Sequence, residues 1–389
     1  MMSPRVSITG LSSALSAVPA ASPVPCMVSP ARFALANLGL LPVCLPGPGV
    51  VLAAALLGRL TVDCQATLDF GDDPCGDKLR QVLQAASPHL RSLVRRSPAS
   101  VTAHCSLHSL LHPDWTMHGA IAALPLLPPL AEYRGALGIW TGAEHCEALS
   151  TSAEFALPSQ LRVFSDTGIT RILALGAPGD ALLGSSRQHE WLRAAAPHVE
   201  ILCGQADHLL RYIDPKAASA FDDQGQLANL AGWLNGALLH QMAGFLLSLG
   251  AAVVVIGLRE HGIYLRTHAD GNRVAFARRF APDQNVAAYL ATWLDREMLV
   301  PLFAAEIRNA FSRTDACAAA CAAGLLAGQS PGDLVLSLAA VVSLAGESEN
   351  PLDGVPSWEV LQARIEGGWP QAHCGIDLSG WGEEESRGW

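Results

Sequence analysis

The polar tetrapeptide Ser312-Arg313-Thr314-Asp315 heads a run of small residues, DACAAACAAGLLAG over 315–328. A carboxylate at a helix start can act as a general base toward a hydroxyl. It can equally cap the helix by accepting the free amide hydrogens of the first turn. Arg313 beside it suits a phosphate or another anion, which guanidinium binds through paired N–H groups. Two readings of Arg313 stay open: it supplies charge to a bound anion, or it fills an anion site with its own side chain. Ser312 and Thr314 fit cap and turn roles better than ligand contacts. The turn Arg259-Glu260-His261-Gly262 is a second polar group; its arginine can reach a phosphate or simply face water. In Asp207-His208 the aspartate is the candidate metal contact, through water. A solvated helix start explains that pair as well, because hard Mg²⁺ takes oxygen ligands and histidine is a poor one. His104, His108, His112 and His118 would suit a metal if they shared one helix, but the pattern there is strand and loop and Pro113 interrupts it.

These groups need elements to hold them, and the hydrophobic pattern alternates between strand-like and helix-like runs. Strands are expected at Val6–Thr9, near 62–67, at Ser92–Arg95, Val101–Leu107, Ala136–Trp140, Thr170–Leu175 and Val199–Cys203. Further strands are expected at Ala251–Ile256, Ile263–Arg266 and Arg273–Ala277. Helices are expected at Val51–Leu60, Asp77–Ala86, around 153–166, near 187–196, and at Ala228–Leu249. Three more close the chain at 315–328, 332–345 and 357–366. Strands alternating with helices of 10–20 residues imply a mostly parallel, doubly wound α/β sheet with helices on both faces. Ligands of such sheets sit at the carboxyl ends of strands, often against a helix N-terminus. The turn at 259–262 and the head of the helix at 312–315 are therefore the places where a site is expected.

Composition narrows the function. Half of the 389 residues are apolar and 15% are charged, enough apolar material for a large core. The net charge of −10, with no Lys/Arg-rich run, argues against a nucleic-acid-binding face. Ten scattered cysteines, Cys317 and Cys321 among them, contain no CxxC pair and read as buried thiols of a reducing compartment. The longest apolar window, Trp233–Leu258, carries Asn235, His240 and Gln241 and is split by Gly250, which suits a core helix and strand better than a membrane span. A cytoplasmic protein is the expectation, with a loose acidic tail over 375–389.

Several segments, in order, resemble one family. GDDPCGDKL (71–79) and LVRRSPASVTAH (93–104) look like the GDDxFGxxL block and lid of the PfkB/ribokinase family of carbohydrate kinases. GLREHGIYLRT (257–267) is similar to that family's strand–turn–strand segment, xLGEHGxYL. DACAAACAAGLLAGQSP (315–331) follows its GDAxxAGFLxGLLxGxSP helix, with Asp315, Gly324, Gly328 and Pro331 in register. VPSWEVLQARIEGGW (355–369) resembles the closing helix of a bacterial sugar-kinase branch. The resemblance implies one ribokinase-like domain over 1–374 whose small β-lid is drawn from 62–107. It also implies phosphoryl transfer from ATP, with Mg²⁺, to a sugar or nucleoside hydroxyl, and a homodimer formed through the lid.

The family's functional positions are altered in this chain. Its T-G-A-G-D anion hole and base correspond to Phe311-Ser312-Arg313-Thr314-Asp315, so Asp315 alone is retained. The resemblance gives Asp315 the role of base and Ser312–Thr314 that of a modified anion hole. It places the nucleotide against Arg259, Glu260 and Gly262. The substrate Asp corresponds to Leu15, and the Asn of the GGxxxN helix start to Leu52, with Gly47 kept. The GAN loop becomes Gly119-Ala120-Ile121, and N-x-x-E becomes Gln205-Ala206-Asp207-His208. Leucine and isoleucine where hydroxyls would be bonded imply a less polar acceptor, or none, at about 1–3 kcal/mol per buried unpaired group.

Overall fold

The structure is a computed structural model. It describes residues 6–10, 15–18, 43–46, 50–62, 64–71, 81, 84–85, 90–97, 137–141, 156–176, 187–282, 285–307, 313–348 and 352–378. The expected strand over 101–107, most of the expected helix over 77–86 and the histidines from 104 to 118 lie outside them.

Eleven strands are described: β1 (Val6–Gly10), β2 (Leu15–Val18), β3 (Val43–Pro46), β4 (Cys64–Gly71), β5 (Leu90–Ser97), β6 (Leu137–Thr141), β7 (Thr170–Leu175), β8 (Ile201–Gln205), β9 (Val253–Gly257), β10 (Ile263–Thr267) and β11 (Glu297–Val300). Nine form one sheet in the order β11-β10-β9-β8-β7-β6-β1-β4-β5. Neighbours from β5 across to β9 are parallel, and β10 pairs antiparallel with both β9 and β11. A parallel sheet has both faces covered, so its strands read as continuous apolar runs. TRILAL in β7 and VVVIG in β9 are buried at every position. Side chains alternate between faces: Ile172 and Ala174 point into one cluster, Leu173 and Leu175 into the other.

Helices α1 (Val50–Arg59), α9 (Arg313–Leu326), α10 (Pro331–Glu347) and α11 (Trp358–Glu366) cover the first face. The other carries α2 (Ala156–Phe164), α3 (Arg187–Ala195), α4 (Ala206–Ile213), α5 (Pro215–Asp223) and α6 (Gly236–Ser248). Short α7 (Gly271–Val274) and α8 (Val286–Thr292) lie between β10 and β11. Among the described residues no helix is long and apolar enough to cross a membrane.

Several expectations are corrected. The described strands within 62–107 do not form the separate β-layer: β4 and β5 are parallel strands of the main sheet, with β5 at its edge, and the separate two-stranded sheet is β2 paired antiparallel with β3. The expected helix over 228–249 is broken. A 3₁₀ segment spans Leu227–Trp233, and α6 starts afresh at Asn235, whose side chain accepts from the Leu238 amide. Trp233, at the end of that 3₁₀ segment, is exposed. Arg273–Ala277 is helical turn rather than strand, because Asp270 caps it by accepting from the Asn272 amide. The segment after 375 is not wholly loose: Ile376 is buried and the Gly236 amide donates to the Asp377 carbonyl at 2.9 Å.

Strand β11 escapes the sequence pattern. Its Glu297 side chain is only 5% exposed and takes the Tyr264 hydroxyl, with His240 Nδ1 2.9 Å and Arg266 Nε 3.8 Å from its other oxygen. That carboxylate joins β10, β11 and α6. Between β9 and β10 the chain turns at Gly262, with φ of 133°, where an added Cβ would lie 2.3 Å from the Val300 carbonyl oxygen. Gly262→Ala is therefore expected to lower stability by about 1–3 kcal/mol through backbone strain and collision. Chemical denaturation measures it, and an unchanged midpoint would remove the packing requirement.

Candidate functional site

Strand β8 passes into α4 with no loop, so Gln205 ends the strand and Asp207 sits in the first helical turn. Beside it β9 ends at Gly257, and the chain continues through Leu258 into the turn Arg259–His261. Helix α9 packs against β8 and β9, and its leading residue Arg313 lies within electrostatic reach of Glu260, Arg259 and Asp207. The structure thus brings together Asp207, Arg259, Glu260, Arg313 and the first turn of α9, three chain regions far apart in sequence. This is the carboxyl end of the sheet, where open α/β folds take their ligands.

Asp315 is 3% exposed and lies in the first turn of α9, one residue beyond buried Thr314. Arg313 is half-buried and enters no hydrogen bond or ion pair with the described residues. Desolvation lowers its pKa first, Glu260 raises it and Arg259 lowers it. Behind them burial pushes the Cys317 thiol well up, Cys321 adding to the effect, so that thiol is a neutral core group.

Arg259 Nη2 donates to Asp207 Oδ2 at 2.7 Å, joining residues 52 apart in the chain. Asp207 is 8% exposed, so its one charge is spent largely on this arginine. Arg259 holds φ of 54°, the left-handed region, which costs an L-residue about 1–2 kcal/mol relative to glycine. The Glu260 side chain is 66% exposed, 3.7 Å from His261 Nε2, while His261 Nδ1 lies 2.8 Å from the Cys374 carbonyl oxygen.

Gln205 was seen in the sequence only as part of a segment. It is 7% exposed, and neither its amide oxygen nor its amide nitrogen has a hydrogen-bond partner among the described residues. Gly257 opposite makes the room: a Cβ there would lie 2.1 Å from Gln205 Nε2. A buried amide with neither end satisfied costs about 1–3 kcal/mol per group.

The other expected site residues lie in other elements or outside the described residues. Leu52 is wholly buried in the core among the residues of α1 and α9, a place that presents nothing to a ligand. Leu15 lies in β2, in the two-stranded sheet. Gly262 serves packing against β11. Gly47, Gly119, Ile121 and Ser312 lie outside the described residues.

The donor set does not fit Mg²⁺. That ion wants several oxygen ligands in octahedral geometry. Here Asp207 is ion-paired, the next residue is His208, and no cluster of three His, Cys, Asp or Glu side chains suited to a metal exists among the described residues. The guanidinium groups of Arg313 and Arg259 do fit a phosphate chain.

Solved structures similar in fold to this chain include several kinases. Ribokinase from Thermotoga maritima matches with a TM-score of 0.58 at 13% identity, over 93% of this chain and 99% of its own. Aminoimidazole riboside kinase from Salmonella enterica, solved with aminoimidazole riboside and an ATP analogue, matches with a TM-score of 0.59 at 14% identity, over 92% and 99%. Phosphofructokinase-2 from Escherichia coli, in complex with substrates and products, matches with a TM-score of 0.56 at 15% identity, over 92% and 97%. No protein-family model matches the sequence, and no curated protein matches it either. The chain has the fold of the ribokinase-like sugar and nucleoside kinases.

Proposed function

We propose that the protein transfers a phosphoryl group from a nucleotide to a hydroxyl of a small molecule, at the strand ends where Asp315, Arg313 and Arg259 meet. The observation that carries this reading is a buried carboxylate, Asp315, in the first turn of a helix whose leading residue is a half-buried guanidinium with no ion-pair partner among the described residues. The acceptor oxygen would attack the terminal phosphorus as the bond to the nucleoside diphosphate breaks, and Asp315 would take the hydroxyl proton. Arg313 and Arg259 would hold the charge on the transferring group, a role that backbone amides fill in a glycine-rich anion hole. Ser312, Thr314 and Glu260 would line the nucleotide end. The acceptor pocket would include the segments at Gly47 and Gly119, with Leu15 and Ile121 favouring a less polar molecule than a free sugar.

A second reading, a catalytically silent relative that keeps the scaffold to sense a ligand or bind a partner, is favoured by the Asp207–Arg259 ion pair and by the burial of Leu52. Thermal melting with ATP, in buffers with and without Mg²⁺, separates the two. At 100-fold over its dissociation constant, a nucleotide binder gains about 2.7 kcal/mol; no shift at millimolar ATP would leave only the silent relative. Asp315→Asn is expected to abolish phosphoryl transfer while keeping the shift, and surviving transfer would take the base role from Asp315.

A further inference from the structure

The strand ends hold their positive charge in an unusual way. Arg259 occupies a left-handed backbone position that glycine would fill without strain, so its side chain is kept there against a conformational cost. What that side chain does is bind Asp207 at 2.7 Å, the carboxylate best placed on α4 to meet a cation. A second guanidinium, Arg313, stands within the field of the first and of Asp207 and Glu260, with no ion-pair partner among the described residues. The amide of Gln205, at the end of the same strand that carries Asp207, is buried with both ends unbonded. The next residue after Asp207 is His208, whose Nε2 lies 3.9 Å from Asp207 Oδ2, and imidazole is no substitute for a hard oxygen ligand.

We propose that this site binds a phosphoryl oxyanion directly on Arg313 and Arg259, without a divalent cation. The Arg259 guanidinium stands in for the metal: it neutralises Asp207 on one side and presents its remaining N–H groups, with those of Arg313, to phosphate oxygens on the other. The Gln205 amide completes the site by bonding a polar atom of the ligand. Arginine charge does not depend on metal supply, and guanidinium is always protonated at physiological pH. The inference rests on the phosphate-binding reading of the strand ends given above.

Isothermal titration of the full chain with ATP, with pyrophosphate and with inorganic phosphate, each in EDTA and each in excess Mg²⁺, tests it. At least one of the three is expected to bind in EDTA, with an affinity that Mg²⁺ improves by less than threefold. Which of them binds identifies the source of the phosphoryl group. Binding that needs Mg²⁺, or that Mg²⁺ tightens tenfold or more, would overturn the metal-free site and leave the nucleotide reading standing. Absence of binding in both buffers would overturn both. Arg259→Gly, which the left-handed backbone accommodates, is expected to weaken binding in EDTA at least tenfold. It should also make affinity rise with Mg²⁺, as Asp207 is released. Arg313→Gln is expected to lose at least tenfold in EDTA with no rescue by Mg²⁺. Wild-type affinity in EDTA for the Arg259 variant, with its melting temperature kept, would show that Arg259 is not the cation.

Discussion

How closely one helix can lie against the sheet decides the rest of the molecule. Helix α9 is buried all round, from Thr314 to Leu325, and from Ala316 to Gly324 every residue is alanine, cysteine or glycine. Small side chains let its backbone approach the strands on one side and α1 and α10 on the other without leaving voids. Larger residues would push the helix outward, and its leading residues would no longer reach the ends of β8 and β9. The placement of Arg313 and Asp315 is thus a packing result before it is a chemical one. Gly324 serves the same end, since a Cβ there would lie 2.5 Å from Leu334 Cδ1.

At those strand ends the charges are arranged in two tiers. Asp207 and Arg259 neutralise each other at the junction of β8 and α4, and Arg313 has no ion-pair partner among the described residues. A buried ion pair offsets most of its own desolvation but contributes little net stability. Its value here is geometric: it fixes a long side chain on a turn that the backbone would rather build with glycine. The turn is in turn fixed from outside, by Gly262 against Val300 and by His261 against the Cys374 carbonyl.

Much of this architecture is legible in the sequence. TRILAL and VVVIG are uninterrupted apolar runs of strand length, and the alanine run beginning at Asp315 is helical by propensity and burial alike. What escapes does so for physical reasons. EMLV is too short to show a period, and its buried Glu297 looks like a surface residue until Tyr264 and His240 are seen around it. RVAFA alternates like a strand, but the local cap from Asp270 wins. Helix α5 announces itself by Asp214-Pro215, a cap followed by proline at the first helical position, a signal that was there to be used. At the site, Asp315 is visible from its place at a helix head, whereas the Asp207–Arg259 pair spans a separation that no local pattern encodes. Gln205 is invisible for a related reason: an unbonded amide is a property of its surroundings, here of the space that Gly257 leaves.

The C-terminal segment around Cys374 and Asp377 binds back onto the turn that carries Arg259 and onto the start of α6, and its neighbour Pro370 takes the amide of Ala304. These contacts have an order in time as well as in space. While the chain is being synthesised, the sheet from β1 to β11 can assemble outside the exit tunnel, but the turn at 259–262 lacks its His261 contact until Cys374 has emerged. The strand ends therefore become a finished site only after synthesis has passed that point, so an incomplete chain carries the scaffold without the settled arrangement of charges.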